Sequence, residues 1–235
     1  MQKRKYTAGG VKWSFWLHEA ERTAELLDKG WTFERIRTAC KEENLYDAST
    51  PARGDLIFHT VRTRLELLMQ AEGYGRYEKE SMSDDVVGSS NSVQGAPPAP
   101  GRSTGQSCAL NLFLTSGLES RKLMNLTGIL LQDSLLFDFT YEVIREKIIM
   151  GTELAEADFR QFFNEKQIQS DIVAKWTEPT IRRLTRYYRT VLTEAGVITS
   201  VGSAWNVRRA IPDKKIEQFW RSSGLDPVYR ALTGA

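Results

Sequence analysis

The arginines near the carboxyl end are the residues whose type and spacing most clearly suggest a chemistry. Four of them lie within eight residues: Arg182, Arg183, Arg186 and Arg189. Guanidinium groups bind phosphates in a fixed, often bidentate geometry, and each phosphate that they neutralise releases counterions. Arg182 has a carboxylate at helical spacing, because Glu178 lies four residues before it. The other three have none on the same segment, which favours a surface that contacts the nucleic-acid backbone.

A local excess of positive charge surrounds these arginines. Residues 175–215 contain nine Lys and Arg residues and three acidic residues, a net charge of +6, whereas the whole chain carries +2. The rest of the chain is therefore acidic. Trp205 lies close to two further arginines in the sequence and is a candidate for stacking on a base or a sugar. The candidate DNA-binding residues are Lys175, Arg182, Arg183, Arg186, Arg189, Trp205, Arg208 and Arg209.

The segment 177–196, which carries the four arginines, has the pattern of an amphipathic helix. Its apolar residues recur every three or four positions and predict a buried seam, with the arginines on other faces. The seam consists of Ile181, Leu184, Tyr188, Val191 and Ala195.

Two short β-prone stretches follow this helix, at residues 197–200 and 205–209, and predict a hairpin. A short helix from Ser170, a turn, the long basic helix and the hairpin follow one another in the order of a winged helix. In that arrangement the second helix enters the major groove and the hairpin touches the backbone. Arg208 and Arg209 would then lie on the wing.

Two other interpretations of the basic face remain open. It could be a solvated cationic surface, or an adaptor surface that docks an acidic partner protein. An enzyme is not expected, because His18 and His59 lie on separate predicted helices and no nucleophile, base and orienting group can be assembled. The two cysteines lack a C-x-x-C partner, so we expect no metal, no other cofactor and a reducing cytoplasm.

The sequence divides into two helical regions with a stretch of different composition between them. Residues 73–107 are rich in Gly, Ser and Pro and predict a flexible insert. Residues 1–72 predict a bundle of three helices, and residues 108–235 a helical, winged-helix-like DNA-binding lobe. The expected fold class is thus mainly α, with two small helical lobes and one short β-hairpin. Polar residues interrupt the most apolar run, 123–139, so we expect no contact with a membrane.

Helix-start signals support the N-terminal bundle. Thr32 precedes an apolar periodic segment and can cap its first turn. Ser49-Thr50-Pro51 combines a hydroxyl cap with a proline at the first helical position, where the missing N–H costs nothing. These signals predict the starts of the second and third helices.

Several longer segments resemble the BrxA proteins of BREX phage-defence systems. They are KYTAGGVKWSFWLHEAERTAELLDKG, EENL, STPARGDLIFHTVRTRL, LLFDFTYEVI, DFRQFF and KWTEPTIRRLTRYYRTVLTEAGVI. The order and spacing of these segments carry the resemblance, and the insert at 73–107 departs from the family pattern. The resemblance implies a nearly all-α accessory subunit that binds double-stranded DNA without enzymatic activity. It also implies other BREX components as partners, because the family is encoded beside a methyltransferase and an ATPase.

Overall fold

Three helices form the N-terminal part of the chain. The computed structural model describes the backbone of residues 5–83 and 107–235, and the side chains of residues 5–73 and 107–235. A short 3-10 helix comes first, at Ala8–Lys12. The α-helices that follow are α1 Leu17–Asp28, α2 Phe33–Glu42 and α3 Pro51–Ser83.

Both predicted hydroxyl caps are confirmed. The Oγ1 atom of Thr32 accepts a hydrogen bond from the backbone N–H three residues later at 3.2 Å. The Oγ1 atom of Thr50 does the same at 3.2 Å. Pro51 occupies the first position of α3, as expected from its fixed φ and missing donor.

Helix α3 is longer than the sequence pattern predicted. It continues to Ser83, so the backbone of residues 73–83, which the composition assigned to the insert, is helical. Extending an existing helix requires no new nucleation, and this stretch contains Arg, Glu, Lys and Met, which favour helix despite two glycines. Residues 84–106 of the predicted insert lie outside the described residues.

The second part of the chain contains the remaining helices and one hairpin. A π-helical turn at Thr140–Ile144 joins the helices Ser134–Phe139 and Arg145–Met150 in one continuous helical run. The elements are α4 Cys108–Thr115, α5 Leu118–Gln132, α6 Ser134–Phe139, α7 Arg145–Met150, α8 Glu156–Gln169, α9 Asp171–Ala174, α10 Glu178–Glu194, β1 Ile198–Val201, β2 Ala204–Val207, α11 Lys214–Ser222 and α12 Asp226–Thr233.

The two parts share one hydrophobic core. Buried residues of α1 and α3 belong to the same cluster as those of α5, α8, α10 and α11. Helices α3 and α5 approach closely at Gly128, where a Cβ atom would lie 3.1 Å from the Cβ of Arg64. The absence of a side chain at Gly128 therefore permits this contact, and the two predicted lobes pack directly on each other.

The segment before α1 is tied to both parts by buried polar groups. Arg64 donates from Nη1 to the carbonyl of Phe15 at 2.8 Å and from Nη2 to that of Ser14 at 2.9 Å. Asn125 of α5 also donates to the carbonyl of Phe15, at 2.7 Å. Gly10 lies against α10, because a Cβ atom there would be 2.7 Å from the ring of Tyr187.

The predicted hairpin is confirmed, with an additional contact. Strands β1 and β2 pair antiparallel, and Gly202 takes a positive φ of 58° in the connecting turn. Leu154, which precedes α8, forms an isolated antiparallel bridge to Trp205 of β2.

Within the described ranges, no helix has both the length and the apolar character needed to cross a bilayer.

Candidate nucleic-acid interface

Helix α10 separates a buried face from an arginine face. Leu184, Tyr188, Val191 and Ala195 of the predicted seam are buried, and Ile181 is half-buried. Arg182, Arg183 and Arg186 are exposed. The amphipathic pattern therefore places these arginines in solvent. The helix begins after Thr177, with Pro179 in its first turn, as the sequence predicted.

Tyr187 lies outside the predicted apolar seam of α10 and is nevertheless buried. It is only 6% exposed and packs edge-on against Trp13, with ring centroids 6.4 Å apart. The segment before α1 covers this side of α10. The periodicity of residues 177–196 cannot predict this contact, because the segment is distant in sequence.

Of the three exposed arginines on α10, Arg183 and Arg186 have no ion-pair partner within residues 5–73 and 107–235. Arg182 pairs with Glu178, as predicted, with 3.1 Å between Nε and Oε1. Both members of that pair are more than 60% exposed, and such surface pairs contribute about 0–1 kcal/mol. All three guanidinium groups are therefore accessible to an incoming anion.

Lys175 lies at the same end of α10 as these arginines. It directly follows the short helix α9 and is exposed in the turn that leads into α10. These four exposed residues, Lys175, Arg182, Arg183 and Arg186, make up the basic surface of the protein.

The side chain of Arg189 is bound by other residues of the protein. Its Nη1 donates to Oε2 of Glu156 at 3.1 Å, and its guanidinium lies 5.2 Å from the centroid of the Trp205 ring. Glu156 begins α8, 33 residues earlier in the chain. No local sequence pattern predicts this pair, because only the packing of α8 on α10 brings the two residues together.

Arg208 and Arg209 lie at the base of the hairpin. Both are exposed and follow β2, whereas the turn at its tip, 201–203, carries no charge. The backbone N–H of Arg208 donates to the carbonyl of Val197 at 2.8 Å. Since α10 ends eight residues beyond Arg186, the hairpin follows the end of the helix that lies about 12 Å along its axis from Arg186.

Trp205 is half-buried. Its ring packs edge-on against Phe159 with centroids 6.0 Å apart, and its backbone is hydrogen-bonded to Leu154. One face of the ring lies beneath Arg189, so that face is already occupied.

A buried polar cluster lies behind α10. Asp133 caps α6 by accepting from the N–H groups of Leu135 and Leu136 with Oδ1, while its Oδ2 has no hydrogen bond from the described residues. Burial raises the pKa of Asp133 to about 6, although the nearby Arg64 guanidinium acts in the opposite direction. Burial also raises the pKa of Tyr187 far above its usual value. These groups occupy the junction between α3, α5 and α10.

Other positions singled out from the sequence do not form a site. His18 and His59 are exposed on α1 and α3. Cys40 is buried, and burial raises the pKa of its thiol. Among the residues that the structure describes, no group of His, Cys, Asp and Glu side chains is arranged to hold a metal ion. A shallow groove of about 360 Å³ runs along α11, lined by Lys214, Glu217, Gln218, Arg221 and Ser222.

Comparison with known proteins gives a consistent family and fold. The family model for BrxA matches residues 4–86 and 105–224. A Bacillus cereus protein described as "BREX protein BrxA" is 27% identical over 212 residues, which cover 90% of this chain and 87% of that protein. An uncharacterised protein from Magnetospirillum magneticum has a crystal structure that matches with a TM-score of 0.70 and 17% identity. That match covers 99% of this chain and 100% of the other, and it concerns the fold alone.

Proposed function

The chain belongs to the BrxA family of BREX phage defence, and from this premise we propose that it is a cytoplasmic, non-catalytic accessory protein that binds double-stranded DNA. The observation that carries the proposal is the exposure of Arg183 and Arg186 without ion-pair partners among the described residues, next to Arg182 and Lys175. Such a surface matches the phosphates of a duplex, whose neutralisation provides most of the affinity in sequence-independent binding.

The order of the elements supports a winged-helix mode of contact. A helical run ending at Met150 is followed by the strand-like residue Leu154, then α8, α9, α10 and the hairpin. A winged helix places its second helix in the major groove, which is about 12 Å wide. Helix α10 is the element that occupies this position in the chain. Its arginine face would meet the groove and the phosphates on either side.

The salt dependence of binding tests the proposal. We expect the wild-type protein to bind a fluorescent duplex of random sequence, with an affinity that decreases steeply as the salt concentration rises. Anisotropy titrations at several salt concentrations measure both the affinity and this slope. Because the contacts are mainly to phosphates, a second duplex of unrelated sequence should bind with a similar affinity.

A pair of charge-reversal variants tests the location of the site. Arg183→Glu with Arg186→Glu should weaken binding by about tenfold or more at low salt, because two phosphate contacts become repulsive. Arg22→Glu with Arg37→Glu is the matched control, since these arginines are also exposed and change the net charge equally. Equal loss in both variants would show that only the overall charge matters.

Failure of the wild-type protein to bind duplex DNA at low salt would overturn the proposal. The same basic surface would then favour the adaptor function, in which it docks an acidic subunit of the defence complex.

A further inference from the structure

Arg189 differs from the other arginines of α10 because its contacts are within the protein. Its side chain is 32% exposed, compared with 77% for that of Arg182. The guanidinium both pairs with Glu156 at 3.1 Å and lies over the Trp205 ring at 5.2 Å. Three elements, α8, α10 and β2, therefore meet at this one side chain.

Trp205 extends these contacts to the backbone. Its N–H donates to the carbonyl of Leu154 at 2.9 Å, and its carbonyl accepts from the N–H of Leu154 at 2.8 Å. The edge of its ring contacts Phe159 on α8. Arg189 covers one face of the Trp205 ring. It therefore also lies next to the point where β2 is joined to the segment before α8.

We propose that Arg189 is a positioning residue that fixes the hairpin against α8 and α10, and that neither Arg189 nor Trp205 contacts DNA. The first half of this proposal stands on the geometry alone. The second half rests on the proposed function, because it assigns the DNA contacts to the basic surface without Arg189.

The chemistry of arginine suits this role. A planar guanidinium can stack on an indole while its edge donates to a carboxylate, whereas a lysine ammonium is a compact charge that cannot do both in the same geometry. An anion at Arg189 would have to displace Glu156 and compete with the stacking. Arg183 and Arg186 require no such exchange.

Two neighbouring substitutions separate positioning from contact. Arg186→Gln and Arg189→Gln each remove one positive charge from the same helix. Loss of a phosphate contact reduces the magnitude of the slope of log K against log salt by about 0.9. We expect that reduction for Arg186→Gln, whereas Arg189→Gln should weaken binding several-fold with an unchanged slope.

Hydrogen exchange of the free protein provides a readout that does not depend on DNA. The amides of Leu154 and Trp205 should exchange about tenfold faster or more in Arg189→Gln, because their bridge opens more often. The exchange rates of these two amides should be unchanged in Arg186→Gln. Glu156→Gln, which retains an acceptor but loses the charge, should give an intermediate increase and keeps the test valid if Arg189→Gln unfolds.

Either of two results overturns the proposal. One is unchanged exchange of Leu154 and Trp205 in both Arg189→Gln and Glu156→Gln, which would show that the hairpin is held without Arg189. The other is a slope that falls in Arg189→Gln as it does in Arg186→Gln, which would make Arg189 a phosphate contact. If the wild-type protein fails to bind DNA, the proposed function and the contact assignment fail with it. The exchange measurement still decides whether Arg189 positions the hairpin.

Discussion

Arg64 brings a guanidinium group into the core, where the residue is only 1% exposed. Its donors are used on the carbonyls of Ser14 and Phe15 and on Oε1 of Gln132. A buried charge is tolerated only when such hydrogen bonds replace water. The residue therefore joins α3, α5 and the N-terminal segment, and it has a structural role distinct from that of the exposed arginines on α10.

Replacing Arg64 should destabilise the protein strongly. We expect Arg64→Met to lower the free energy of unfolding by about 3–5 kcal/mol, because the buried carbonyls of Ser14 and Phe15 lose their donors and Asp133 loses a nearby positive charge. Urea denaturation followed by circular dichroism measures this change. Arg62→Met is the control: Arg62 forms a half-buried pair with Glu66 one turn along the same helix, so its loss should cost only about 1 kcal/mol. Equal effects of the two substitutions would contradict the structural role.

The buried carboxyl group of Asp133 should make the free energy of unfolding decrease as the pH rises from about 4 to about 6. Burial raises its pKa to about 6, above the usual 3.8 of the unfolded chain, while Arg64 lowers it and Asp138 raises it. Between these two pH values the folded state binds more protons at Asp133 than the unfolded state does. The contribution of this residue to stability therefore decreases as the pH rises through that window.

Asp133→Asn tests this dependence while keeping an oxygen to cap α6. The free energy of unfolding of the wild-type protein, minus that of the variant, should decrease between about pH 4 and pH 6 and level off above that range. Urea titrations of both proteins across this range measure the difference. A difference that increases with pH would contradict the raised pKa.

At the scale of the elements, α10 is held on two sides. The segment before α1 packs against Tyr187, and Arg189 connects the other side to α8 and the hairpin. The exposed arginines lie between these supports. The orientation of the basic surface therefore depends on contacts from parts of the chain that are distant in sequence.

Gly10 should be a sensitive position in this arrangement. A Cβ atom there would lie 2.7 Å from the ring of Tyr187, so Gly10→Ala should destabilise the fold by about 1–3 kcal/mol through overpacking. Gly54→Ala is the matched control, because its Cβ would make ordinary contact with Ala48 at 3.6 Å and its helix should tolerate alanine. Thermal unfolding of both variants measures the contrast, which similar melting temperatures would contradict.

Local patterns predicted the elements better than the contacts between them. The seam of α10, the caps at Thr32 and Thr50 and the hairpin follow from residues within a few positions of one another. The bridge of Leu154 to Trp205 and the pairing of Glu156 with Arg189 join residues more than 30 positions apart, and no short-range signal marks them. The DNA-contact roles of the candidate residues remain predictions.

At the scale of the whole molecule, one hydrophobic cluster of described residues links the regions that the composition divides at 73–107. The close approach of α3 and α5 at Gly128 buries apolar surface from both regions. Neither region retains that burial alone. Stability should therefore be a property of the two regions together.

The full chain should unfold in one cooperative transition. Far-UV circular dichroism and hydrogen exchange of α1, α5 and α10 should give the same urea midpoint, since these helices share the core. Different midpoints for α1 and α10 would instead indicate two independently stable lobes.

The pair between Glu178 and Arg182 has a consequence for binding. The carboxylate of Glu178 is bound to Arg182, where the proposed function would place a DNA phosphate oxygen. Under that proposal the phosphate would have to displace Glu178 each time DNA binds, and the carboxylate would return to Arg182 when DNA leaves. Such an internal competitor would hold the affinity below the maximum that the arginines could provide and would favour rapid release from the duplex.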